Sequence, residues 1–84
     1  MTDLETTILR VIRELGQPYG LEIWRATEAA LPDRIITFGS VYIALDALEE
    51  QRLIRSWEGE AVPERGGRKK RYYSARPQRG DYWP

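Results

Sequence analysis

Apolar side chains recur at Leu4, Ile8, Val11, Ile12 and Leu15, the i, i+4, i+7, i+8, i+11 spacing of one helical face. Thr2 followed by Glu5 supplies a capping box at the start, and Gly16 with Pro18 just beyond ends the helix. A second, shorter helix is expected to open near Tyr19-Gly20 and to run through Leu21, Ile23, Trp24, Ala26 and Ala30. Leu31-Pro32-Asp33 stops it, because a residue before proline is pushed out of the helical region. Ile35-Ile36-Thr37 is brief, β-branched and apolar, and suits a minimal strand or an extended link. From Gly39 the residues Val41, Ala44, Leu45 and Leu48 trace one helical face again, with Thr37 or Ser40 as the cap. Tyr42 and Ile43, both large, fall off that stripe in the first half of the third helix.

Beyond it, Leu53-Ile54-Arg55-Ser56-Trp57 and Lys69-Lys70-Arg71-Tyr72-Tyr73-Ser74 read as strands separated by a loop rich in Glu, Gly and Pro, and they should pair as an antiparallel hairpin. Strand alternation puts Lys69 and Arg71 on the opposite side from Lys70 and Tyr72. The order helix, helix, short extended segment, helix, hairpin describes a winged helix-turn-helix, an α+β, mainly helical fold. The third helix, residues 39–51, holds the recognition position, and a two- or three-stranded hairpin forms the wing. Residues 1–75 are expected to make this domain, and 76–84 read as a C-terminal tail.

Charge sharpens the picture. The 84 residues carry 13 Lys+Arg and 13 Asp+Glu, yet the balance conceals a dipole. Residues 1–60 hold six basic and eleven acidic side chains, net −5, while residues 61–84 hold seven basic and two acidic, net +5. The basic excess centres on Arg65-Gly66-Gly67-Arg68-Lys69-Lys70-Arg71, closed by Tyr72-Tyr73, a segment suited to lie against phosphate.

What is absent narrows the function. The chain has no cysteine and no histidine, which removes disulfides, thiolate and imidazole metal sites, the usual general base near neutral pH, and every Ser-His or Cys-His nucleophile. No phosphate-binding glycine loop is present, so enzymatic activity is not expected, and neither a cofactor nor a metal is implied. No apolar run approaches the roughly 20 residues of a membrane span, and the acidic start Met1-Thr2-Asp3-Leu4-Glu5 is unlike a signal peptide. A cytoplasmic protein without membrane association is the expectation.

Four spaced segments carry a resemblance. They are Tyr19-Gly20-Leu21-Glu22-Ile23, Phe38-Gly39-Ser40-Val41-Tyr42-Ile43-Ala44-Leu45, Leu48-Glu49-Glu50-Gln51-Arg52-Leu53-Ile54, and Gly66-Gly67-Arg68-Lys69-Lys70-Arg71-Tyr72-Tyr73. In this order, over about residues 4–75, the chain resembles the PadR-like transcriptional regulators. The resemblance implies a repressor whose homodimer presents two recognition helices and two wings to double-stranded DNA at a pseudo-palindromic operator. By position it also implies DNA contact for Ser40 and Tyr42, a basic wing at Arg68, Lys69 and Lys70, and a packing role for Tyr73. Such regulators usually continue into a long C-terminal dimerisation helix, whereas residues 75–84, with two prolines and a glycine, show no helical stripe. A short form with a non-standard dimer interface is therefore expected. Leu4, Ile8, Tyr82 and Trp83 are the dimer or docking candidates, and no small-molecule effector site is carried over.

The chemistry of the individual residues sets expectations for binding. Arg65, Arg68, Lys69 and Lys70 can neutralise phosphates, each adding about 0.9 to the log-log salt slope. The third helix has no Arg, Lys, Asn or Gln before Gln51, so the bidentate base contacts those side chains make are missing. Thr37, Ser40 and Tyr42 suit phosphates, Ile43 can touch a thymine methyl, and Asp46 repels the backbone unless it meets a cytosine amine. Shape and wing readout are expected to outweigh base readout by this helix. The same weakness supports an alternative, a winged-helix protein-protein interaction module that docks through Tyr42, Ile43, Tyr82 and Trp83 and has no specific DNA target.

Overall fold

A computed structural model describes residues 1–59 and 69–77. The first helix, α1 (Asp3–Leu15), opens with the predicted capping box: the Glu5 amide donates to Thr2 Oγ1 at 3.1 Å and the Thr2 amide donates to Glu5 Oε1 at 3.0 Å. Gly16 closes it with φ 87°, a left-handed conformation that a side chain would disfavour. The second and third helices are α2 (Gly20–Ala30) and α3 (Phe38–Glu50), the latter capped by Thr37, whose Oγ1 accepts from the Ser40 amide at 3.1 Å. Strands β1 (Ile54–Glu58) and β2 (Arg71–Ala75) pair antiparallel in the register Ile54 to Ala75, Ser56 to Tyr73 and Glu58 to Arg71. Three helices and a hairpin in this order make the winged helix-turn-helix that the sequence predicts.

One core joins all five elements. Ile8 and Ile12 of α1, Ile23 of α2, Val41, Leu45 and Leu48 of α3, Ile54 of β1 and Tyr73 of β2 are buried together. Two expectations need correction here. Ile8, proposed for docking, is 0% exposed and fills the core of its own chain, so it offers no surface. Leu15, placed on the buried stripe, is 51% exposed, because the core ends a turn earlier at Ile12 and the chain turns away at Gly16; Leu9 is buried beside Ile8 instead. Leu4 is half-buried against the core.

The segment between α2 and α3 is an extended link with no strand partner among the described residues. Its inner residue Ile36 is buried while its neighbour Ile35 is 93% exposed, as alternation along an extended chain requires. The Trp24 indole nitrogen donates to the Ile36 carbonyl at 2.8 Å, so a side chain holds the link where a ladder would. Leaving α3, the Leu53 amide donates to the Leu48 carbonyl at 3.0 Å and the Arg52 amide to Glu49 at 3.0 Å, the Schellman pattern. Arg52 occupies the left-handed position there with φ 61°, where glycine is usual.

Both strands begin later than expected, β1 by one residue and β2 by two, and the helix expected to end at Gln51 ends at Glu50. Pairing extends past β1 through the Gly59 amide, which donates to the Lys70 carbonyl at 2.7 Å. On its other edge β2 meets the residues before α2: the Tyr73 amide donates to the Pro18 carbonyl at 2.8 Å, and Tyr19 bridges Tyr72. Among the described residues the wing is thus two strands with a one-residue third partner.

Replacing Arg52 by glycine removes the cost of a left-handed arginine and is expected to raise stability by up to about 1 kcal/mol in urea denaturation. Burial pushes the Tyr73 hydroxyl up from 10.0 to about 12, with the nearby Tyr42, Asp46 and Glu49 adding to the shift and Arg71 opposing it. Between pH 10 and 12 the unfolded chain then loses a proton that the folded chain keeps, so this group's contribution to stability is complete below pH 10 and falls as pH rises through that window. In a spectrophotometric titration of the folded protein, Tyr73→Phe is expected to delete a phenol that titrates at about 12 and to flatten the alkaline loss of stability.

Candidate nucleic-acid interface

The start of α3 is built around a row of rings. Phe38 meets Trp24 edge-on, with centroids 5.4 Å apart, and Tyr42 at 4.7 Å and 72°. Trp24 is fixed by its bond to Ile36, so the row fixes the angle at which Tyr42 leaves the helix. Tyr42 lies over the first residue of α2, where a Cβ added to Gly20 would stand 3.1 Å from its hydroxyl. It remains 37% exposed, and Ile43 beside it is 73% exposed. The Ser40 hydroxyl donates to the Thr37 carbonyl at 2.8 Å, leaving its oxygen able to accept from outside.

Across from this helix end stands the base of the wing. The Lys70 ammonium lies 4.0 Å from the centre of the Tyr19 ring, a cation-π contact. Tyr19 meets Tyr72 edge-on at 6.1 Å, and Tyr72 stacks on Trp57 at 6.1 Å and 22°, with the Arg55 guanidinium 5.5 Å from the Trp57 ring. The opposite face of β2 is internally paired. Arg71 Nε donates to Ser56 Oγ at 3.1 Å, Ser56 Oγ donates to the Glu49 carboxylate at 2.8 Å, and Glu58 lies 4.0 Å from both Lys69 and Arg71. Lys69 and Arg71 therefore share a carboxylate partner while Lys70 has an aromatic one, as strand alternation predicts.

An open cleft of about 470 Å³ separates the two halves, lined by Tyr19, Gly20, Phe38 and Tyr42 on the helical side and by Lys69, Lys70 and Arg71 on the wing side. Its electrostatics are one-sided. The first turn of α3 holds no acidic residue, so the positive end of the helix dipole is uncompensated there. Asp46, Glu49 and Glu50 gather instead on the second half of the same helix, around a shallow depression of about 360 Å³.

Of the residues singled out from sequence, Tyr42, Lys69 and Lys70 line one cleft. Thr37 and Ser40 sit at the adjoining helix end, and Ile43 projects from the following turn. Arg65, Arg68, Tyr82 and Trp83 lie outside the described residues. Sequence reasoning passed over Tyr19 as a platform for Lys70. The signal available was an aromatic placed directly before a glycine-opened helix, and it points to a platform only once the wing is known to lie against it.

Residues 8–78 match the transcriptional regulator PadR-like family. The chain belongs to this family. A solved PadR family transcription regulator from Clostridium difficile R20291 shares its fold, with 23% identity over 96% of this chain and 79% of that one and a TM-score of 0.69. A transcriptional regulator from Clostridium thermocellum is 26% identical over 94% of this chain and 71% of that one, with a TM-score of 0.72. Pex from Synechococcus is 27% identical over 88% of this chain and 66% of that one, with a TM-score of 0.67. No match is found among curated proteins. The PadR-like family comprises transcriptional regulators rather than enzymes, and among the described residues no helix is long and apolar enough to cross a membrane.

The pairing on the inner face of this PadR-like wing separates structural from available cations. Arg71→Ala breaks both the Ser56 bond and the Glu58 pair, and is expected to lower the stability of the fold by about 1 kcal/mol or less, since the arginine side chain is 45% exposed. Urea denaturation of Arg71→Ala beside Lys70→Ala checks this, with the larger shift expected for Arg71.

Proposed function

We propose that this chain is a sequence-specific DNA-binding repressor. It sets the first two turns of α3 in the major groove and the base of the wing against the flanking phosphates. The observation that carries the reading is the convergence on one cleft of an uncompensated helix N-terminus, the exposed Tyr42 ring, and Lys69 and Lys70. Anionic ligands favour helix N-termini and ammonium groups alike, and the acidic second half of α3 keeps a polyanion from lying along the whole helix. The helix therefore enters end-on.

Each proposed contact has a distinct part. The Thr37 and Tyr42 hydroxyls donate to phosphate oxygens at the groove edge, and the Ser40 hydroxyl joins them by turning its proton away from the Thr37 carbonyl. Lys69 and Lys70 neutralise backbone charge, and Arg65 and Arg68, just before them in sequence, add further positive charge. A single domain of this size has a small footprint on DNA, so a homodimer presenting two helices and two wings to a pseudo-palindromic operator accounts better for repression, which here means occlusion of a promoter. With Ile8 in the core, the aromatic pair Tyr82-Trp83 and the rim residue Leu4 are the proposed dimer contacts. A cytoplasmic location follows from such a role.

Binding to the protein's own promoter and to random duplex DNA across a salt series tests the proposal. A preference of about 1,000-fold or more for the promoter is expected. Lys70→Ala is expected to weaken both complexes and to lower the log-log salt slope by about 0.9 per subunit, with Lys70→Arg restoring it. Equal, weak binding to both DNAs overturns the proposal. It favours the reading as a protein-interaction module, for which the exposed Ile35, Tyr42 and Ile43 supply the apolar surface.

A further inference from the structure

The outward face of α3 poses a question that its charges do not answer. Phe38–Glu50 contains no Arg, Lys, Asn or Gln, so the helix has none of the side chains that grip guanine or adenine edges with paired hydrogen bonds. It presents Gly39 in its first turn and Ile43 one turn later on the same face. Gly39 has no internal reason to be glycine: its backbone is not left-handed, and a Cβ built there meets nothing within 4 Å. Alanine forms helix better than glycine, so the bare position is useful only to something outside that approaches the helix backbone closely.

Ile43 is 73% exposed, and Ile35, two residues before the Thr37 cap, is 93% exposed. An apolar side chain gains nothing from a phosphate. Further along the same face come Asp46 and Glu50, which repel phosphate and end the usable strip after two turns. The strip thus asks for an apolar feature carried on an anionic polymer, because Lys69 and Lys70 stand across the neighbouring cleft. The C5-methyl group of thymine in the major groove has that character.

We infer that Gly39 and Ile43, with Ile35 at the edge, form a reader of thymine methyl groups, so that the operator is recognised by the placement of its thymines. The inference rests on the DNA-binding reading above and narrows it to a base chemistry. Gly39 admits the base edge, and Ile43 packs on the methyl.

The probe is a random-sequence duplex pool, from which binders are selected and then resynthesised with uracil, which lacks only that methyl, in place of thymine. Wild-type protein is expected to bind the uracil form about fourfold more weakly for each methyl it had buried. Ile43→Ala is expected to lose the same factor on the thymine form and to become indifferent to the exchange. Gly39→Ala is expected to melt at the same temperature or higher while binding more weakly, a pairing of effects that a purely structural role cannot produce. Tight, selective binding that is unchanged by uracil overturns the methyl reader and leaves the DNA-binding regulator standing. A pool that yields no preferred sequence overturns both, and makes the apolar strip a protein-docking surface.

Discussion

The hydrogen bond from the Tyr73 amide to the Pro18 carbonyl, 2.8 Å long, fastens the wing to the helical body, and the proposed surface depends on it. A hairpin of two strands is marginal by itself. Here β2 lies between β1 and the residues leading into α2, so it is held on both edges, while the Tyr73 ring is buried among residues of the other elements. Alternation then turns Tyr72 outward onto Tyr19 and Trp57 and sets Lys70 over the Tyr19 ring. The place of that ammonium relative to α3 is therefore a consequence of core packing at Tyr73, three residues along the chain, and not of a flexible side chain finding its own position.

That fastening explains how a chain of zero net charge keeps a basic surface. Arg71 is absorbed into a relay through Ser56 to Glu49, which ties the wing to α3. Lys69 shares Glu58 at 4.0 Å with both groups largely in solvent, a pairing of little worth that phosphate can replace at small cost. Lys70 keeps its charge unpaired by any carboxylate among the described salt bridges, because a ring and not an acid is its partner. The three adjacent cations thus differ in availability although the sequence shows them as equals.

The helices were legible because their signals are local. A capping box at Thr2 and Glu5, a proline after Leu31 and the Val41, Ala44, Leu45, Leu48 stripe each act within one or two turns. Ile43 as an exposed residue was also within reach, since helical phase decides it, whereas the packing role of Tyr73 came from the resemblance to the PadR-like wing. The rest was hidden because it depends on neighbours distant in sequence. Leu15 keeps the period of α1 but outruns the core, and no periodicity reports where a core stops. Ile8 fits an apolar stripe whether that stripe meets its own chain or a second one. Among the described residues the link at Ile36 has no strand partner; an indole from α2 takes its carbonyl instead, and nothing in Ile35-Ile36-Thr37 announces that. Arg52 in a glycine position broke the rule that would have marked the end of α3.

The three helix starts differ in a way that bears on which end of the domain meets a polyanion. At α1 the first turn carries Asp3 and Glu5, and at α2 Glu22 accepts from the Tyr19 amide at 3.1 Å. In both, a carboxylate takes up backbone donors and offsets the positive end of the dipole, which amounts to about half a charge. At α3 the cap is the neutral Thr37, with no carboxylate in the turn that follows. A negative residue there would have favoured the isolated helix, as it does in the other two, so its absence gives up local stability at one end of one helix. The position of that end, beside Lys69 and Lys70 and opposite the carboxylates of the same helix, makes the omission consistent with a partner that brings the missing negative charge itself.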